Sequence, residues 1–163
     1  MISISKYREV VDKNGNIKIY AEETLPCPIC GESLSCFAWR LRIVIGEDGN
    51  TKWLLIRRLR CSECGKIHHE LPIGLVIPYK RHCAETIQKI IKGNTNSVPC
   101  CFKVAGKILA WWEGVNPYFT FVLGSLTEKL GMKFSAPPAI EETVRAVVNS
   151  NNWIFAHSVP HHE

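Results

Sequence analysis

Four cysteines come in two pairs, Cys27-Pro28-Ile29-Cys30-Gly31 and Cys61-Ser62-Glu63-Cys64-Gly65, with thirty residues between the pairs. Two residues between cysteines let both sulfurs reach one ion from a tight turn. The glycine that follows tolerates the left-handed conformation in which backbone amides point at thiolates. Four thiolates make a closed tetrahedral shell, which suits one structural Zn²⁺ and leaves no open position for chemistry. A Cys-x2-Cys pair can also be a redox couple, and four cysteines can hold an iron–sulfur cluster. Two glycine-ended pairs flanking a hairpin favour zinc over both. His68 and His69 are close enough to Cys64 to offer an alternative ligand. Cys36, Cys83, Cys100 and Cys101 read instead as small buried hydrophobes.

The second chemistry is cationic. Ile56-Arg57-Arg58-Leu59-Arg60 places three guanidiniums immediately before the second cysteine pair, and Arg40 and Arg42 lie on the strand expected to face it. Like charges clustered across a sheet destabilise it unless an anion is near. The planar fork of arginine matches phosphate and guanine. Arg40, Arg42, Arg57, Arg58, Arg60, Lys66, Lys80 and Arg81 are therefore candidate nucleic-acid-binding residues, with His68 and His69 extending the set. The competing account stacks the arginines on Trp39 and Trp53 and pairs them with Glu63 or Glu70. Residues 1–92 hold 15 Lys and Arg against 10 Asp and Glu, and residues 93–163 hold 5 against 5, so the whole net charge of +5 sits in the first part. That asymmetry suggests one half facing a polyanion and one half given to packing.

The strands and helices that carry these residues are legible as pattern. Residues 3–22 read as a hairpin around Asn14-Gly15, a pair suited to a tight primed turn. Phe37, Trp39, Leu41, Ile43 and Ile45 alternate with polar residues, Glu47-Asp48-Gly49-Asn50 turns the chain, and residues 53–60 return. The cysteine pairs then sit at the open end of this second hairpin. From Pro78 the period becomes helical through Ile91, with Gly93 as a stop. A second helix is expected from Pro99 to Gly114, a third from Asn116-Pro117 to Gly131, and a fourth over 135–149. The first two match a helix-turn-helix in outline, with Lys103 and Lys107 on the recognition helix, although Trp111-Trp112 reads as core. The expected fold is α+β: a β-hairpin and four-cysteine zinc ribbon over residues 1–76, then a small helical domain of about four helices over 77–163.

The apolar third helix, with Tyr118, Phe119, Phe121, Val122, Leu123 and Leu126, must be central to the core or cover a partner. Composition is that of a folded chain, 46% hydrophobic and 21% charged. No apolar run approaches the roughly 20 residues of a membrane span, and the N-terminal residues lack a secretory pattern. A cytoplasmic setting is expected, where cysteines persist as thiolates and metal ligands. No phosphate-binding glycine loop, nucleophile elbow or His-Glu-x-x-His motif is present, so an enzyme is not expected.

Ile56-Arg57-Arg58-Leu59-Arg60-Cys61, Cys64-Gly65, His68-His69-Glu70-Leu71-Pro72 and Pro78-Tyr79-Lys80-Arg81, with the upstream Cys27-Pro28-Ile29-Cys30-Gly31, resemble a bacterial zinc-ribbon family known only as a domain of unknown function. The likeness spans about residues 25–92, and the stretch from Trp111 to Phe155 is similar to the helical tail of such proteins. More distantly, a zinc ribbon followed by a helix-turn-helix resembles the N-terminal part of some insertion-sequence transposases. That resemblance implies recognition of DNA ends without the cutting step. The functional expectation is a zinc-ribbon protein that binds nucleic acid, duplex DNA above all, in a mobile element or in transcriptional regulation. The alternative is a non-catalytic adaptor. In that reading the ribbon is a scaffold, and the third helix with Trp153-Ile154-Phe155 binds a protein partner or a second copy.

Overall fold

The computed structural model describes residues 1–153; Ile154 and Phe155 of the expected apolar tail lie outside them. Both expected hairpins are present. Strands β2 (Tyr7–Val11) and β3 (Ile17–Ala21) pair antiparallel. Their turn is fixed by Asp12, whose Oδ1 accepts from the amides of Asn14 and Asn16 at 2.8 and 2.9 Å, and by Gly15 at φ +80°. Strands β4 (Leu34–Ile45) and β5 (Thr51–Cys61) form the long hairpin. Two further strands are short: β1 (Ile2–Ile4) and β6 (Ile67–Pro72).

These six strands do not make a free-standing ribbon. They form one curled mixed sheet in the order β1-β6-β5-β3-β2, with β4 on the other edge of β5. One edge of β5 pairs with β4 along its length. The opposite edge is divided: β3 runs parallel beside Leu54 and Leu55, and β6 runs antiparallel beside residues 58–60. β1 adds in parallel to β6. The physical reason is burial. Val44, Leu54 and Ile56 project from one face, and an isolated hairpin would leave them in water. Ile19 from β3, Ile4 from β1, Leu71 from β6 and Val76 beyond it close over them as one core.

The helical part is also corrected: the described residues form three α-helices where four were expected. Helix α1 (Ala84–Ile91) begins well after Pro78, because the chain first turns at Tyr79 and is then tied to the end of β4. The Ile45 amide donates to Arg81 O at 2.6 Å and the Cys83 amide to Ile45 O at 3.0 Å. Helix α2 (Phe102–Leu130) is a single rod of 29 residues that carries Pro117 inside it. Its buried stripe, Ala105, Ile108, Trp111, Val115, Phe119 and Val122, continues across the proline without a change of phase. An internal proline costs about 3 kcal/mol. Burying each large member of the stripe returns roughly 1.5–3 kcal/mol, so the continuous helix wins. Helix α3 (Ile140–Asn149) starts only after Pro137 and Pro138, since a residue before proline avoids the helical region.

The short second helix expected of a helix-turn-helix, Pro99 to Gly114, is not a separate element. The segment expected to be a recognition helix is the first half of α2, whose apolar face packs in a core shared with α1 and α3. Trp111, Phe119 and Trp153 form an aromatic cluster there, with ring centroids 5.4–6.5 Å apart. Helices and sheet are joined through Asn149. Its side-chain amide accepts from Ser3 N at 2.7 Å and donates to Ser3 O at 2.9 Å, pairing with β1 as a neighbouring strand would.

Candidate metal centre and the basic sheet face

Each cysteine pair folds on itself in the same way. The Cys27 amide donates to Glu32 O at 2.8 Å and the Cys61 amide to Lys66 O at 2.9 Å. Gly31 and Gly65 follow at φ +82° and +67°, the left-handed conformation that closes each turn. The two turns are joined where the Ser62 amide donates to Ser33 O at 3.2 Å. Cys27 and Cys61 are buried, Cys64 is half-buried and Cys30 is exposed.

The four sulfurs converge within 4.8 Å of one another. Cys27 and Cys64 stand 3.7 Å apart, and Cys30 and Cys61 stand 3.4 Å apart. Thiolates at about 2.3 Å from a tetrahedral ion are separated by roughly 3.8 Å, so the cluster fits an ion such as zinc. An all-sulfur donor set is the right chemistry for a soft or borderline cation. Burial pushes the Cys61 thiol up, but the amides of Cys64 and Glu63 and the neighbouring thiols outweigh it and hold it at about 7. The Glu32 amide draws Cys30 down, yet hydrogen bonding to Cys61 and burial carry it up to about 12. A bound metal would hold all four as thiolates.

His68 stands beside this set. It is buried, the Met1 amine meets its Nδ1 at 3.2 Å, and its Nε2 lies 3.4 Å from Cys27 Sγ. With Nδ1 accepting from the amine, Nε2–H donates to the sulfur, the usual task of a group behind a ligand. Of the remaining cysteines, Cys83 is buried as expected, Cys100 is half-buried, and Cys36 and Cys101 are exposed.

The strand register sorts the predicted basic residues. Opposed residues in an antiparallel ladder share a face, and the face alternates along each strand. Arg40 lies opposite Ile56, Arg42 opposite Leu54, and Ser35 opposite Arg60, while Arg58 lies between Ala38 and His69. Arg40, Arg42, Arg58, Arg60 and His69 therefore share one face. Phe37, at the bulge between Cys36 and Ala38, packs between two of them, with the Arg58 and Arg60 guanidinium carbons 5.0 and 4.8 Å from its ring centroid. Arg40 Nη1 approaches His69 Nε2 at 3.4 Å. Burial, then the charges of Arg40 and Arg58, push His69 down to about 4.

The other predicted cations are placed elsewhere. Arg42 is half-buried and donates to the carbonyls of Ile77 and Lys80, at 3.3 Å each. Arg57 is on the opposite face and grips buried Glu70 with two hydrogen bonds of 2.5 and 2.7 Å. Lys66 is exposed on the second cysteine turn. Lys80 Nζ lies 4.1 Å above the Trp111 ring, and burial lowers it to about 8. Arg81 is exposed near the free edge of β4. Trp39 is covered by Lys18 at 4.3 Å and meets Tyr20 edge-on, so the aromatic partner of the arginines is Phe37. Phe37 was legible only as a strand residue, because the bulge that turns it toward Arg58 and Arg60 has no local signature.

The molecule is thus a mixed-sheet protein with a four-cysteine centre at one end of its sheet and an arginine face beside it. Residues 27–103 match the family described as Domain of unknown function (DUF6431), a segment that takes in the four cysteines, β4 to β6 and α1. No curated protein and no solved structure matches the chain. Among the described residues, no helix is long and apolar enough to cross a membrane.

Proposed function

We propose that this protein is a non-catalytic, zinc-dependent binder of nucleic acid. Cys27, Cys30, Cys61 and Cys64 hold one structural Zn²⁺ that pins the end of β5 to the turn before β4. Arg40, Arg58 and Arg60 take the phosphates. One observation carries the reading: these three guanidiniums share a sheet face, and among the described residues none of them makes an ion pair with a carboxylate. Such a face is repulsive to itself and is relieved by a polyanion. The depressed His69 imidazole supports the same local potential. Four thiolates fill a tetrahedral shell and leave no position at which a substrate could be activated.

The test is a salt titration of the zinc-loaded protein with labelled duplex DNA, after elemental analysis has shown one zinc per chain. Each phosphate contact contributes about 0.9 to the log–log salt slope, so the Arg40, Arg58 and Arg60 alanine triple should reduce it by about 2.7. An unchanged slope removes the arginine face from the reading. Absence of binding at low salt, together with salt-insensitive self-association through exposed Phe121 on α2, would replace it with the adaptor reading.

A further inference from the structure

At the free edge of β4 the chain leaves a cleft of about 370 Å³. Its apolar part comes from the sheet face opposite the arginines. Trp53 and Ile43 are directly opposed, with Leu41 two residues further along β4. These three side chains are 44%, 38% and 46% exposed, a contiguous apolar patch open to water. Patches of that kind mark contact surfaces. Arg40 and Arg81 also line the cleft, beside Arg42 and Lys80 whose cationic ends are turned to backbone carbonyls and to Trp111, and no carboxylate lines it.

Tyr79 lies on the far wall with φ +62°, a conformation that disfavours a bulky residue. It is held there from both sides. The Lys80 amide donates to Ile77 O at 3.1 Å, and Arg81 O accepts from the Ile45 amide. Strained positions persist where the surroundings over-determine them, and they cluster at binding sites.

We infer that this cleft takes an unpaired nucleobase together with its phosphate, so that the nucleic acid recognised is single-stranded where it meets β4. The inference rests on the nucleic-acid reading above and narrows it. An exposed indole offers a stacking surface to any base, and the surrounding cations follow the backbone. A duplex keeps its bases stacked within, with no free ring face for Trp53 to meet. Arg40 belongs both to the arginine face and to the cleft, so the two cationic surfaces meet at it. The volume is at the small end for a ligand site, enough for a nucleotide but not for a folded partner. Cations with no carboxylate among them favour a polyanion over an apolar peptide.

The experiment compares fluorescence anisotropy of the zinc-loaded full chain with labelled oligothymidylate and with a labelled duplex of equal length. The parent should prefer the single strand by about tenfold, and Trp53→Ala should remove about that preference, as expected for one stacked base. Trp53→Phe, which keeps a ring, should restore most of it, which separates stacking from any loss of folding. Paired Arg58→Ala and Arg60→Ala changes should weaken both ligands alike. Equal affinities that ignore Trp53→Ala would overturn the single-strand assignment and leave the phosphate reading standing. Failure to bind either ligand would overturn both.

Discussion

At the residue scale, His69 makes the charge of the arginine face measurable. The ring titrates at about 4, driven down by burial and then by Arg40, Arg58, the Met1 amine and Arg42. In the unfolded chain it titrates at about 6.5. Between those values the unfolded state holds a proton that the folded state lacks. Its contribution to stability is therefore complete above the unfolded value and is lost as pH falls toward the folded one. An NMR titration should place the imidazole midpoint near 4 in the parent and higher in Arg58→Ala. It should also rise when a polyanion is bound. An ordinary midpoint in the parent would mean that the guanidiniums do not set the potential there. The neighbouring pair Arg57 and Arg58 carries the same lesson about position. One residue apart in sequence, they serve a buried ion pair and an open face.

At the element scale, α2 decides the shape of the helical part. Asn116-Pro117 carries the local mark of a helix start, and proline does favour a first turn. The apolar stripe runs through it nonetheless, and Pro117 lies exposed, away from the packed face. Pro117→Ala should restore a backbone hydrogen bond and stabilise the protein by about 1–3 kcal/mol in a urea titration. A loss of stability would show that a bend at the proline is needed for α2 to meet α1 and α3. The start of α1 teaches the converse. Residues 79–91 carry a helical period, but Tyr79 sits at φ +62° in a turn and a bridge between Ile45 and His82 holds the chain to β4 before the helix can start.

At the scale of the whole molecule, the cysteine centre closes one end of a sheet whose strands come from both sides of it in sequence. Structural zinc contributes roughly 10–16 kcal/mol of apparent binding free energy in small fingers, as much as a typical domain has in total. Chelation should lower the thermal midpoint by about 10 °C or more, with 1 kcal/mol moving it by about 2–4 °C at this size. Added zinc should restore it. Amide exchange should accelerate first around the turns at 27–33 and 61–66. A midpoint indifferent to chelator would leave the four cysteines without a structural metal.

Features that rest on short-range chemistry are readable from the order of residues. The cysteine turns are legible because two sulfurs three positions apart, followed by glycine, define a local ligand geometry. The two hairpins are legible from alternation and turn residues, and the helical half from its period. The remaining features depend on packing between segments distant in the chain. Parallel pairing of β3 with β5 and of β1 with β6 joins segments far apart in the chain, and no local pattern encodes it. Alternation alone cannot say which sheet face is covered. The face that is core at Leu54 and Ile56 opens at Arg58 and Arg60, where β6 replaces β3 along the edge of β5. The continuity of α2 likewise emerged only when the burial of a whole stripe was set against the local cost of one proline.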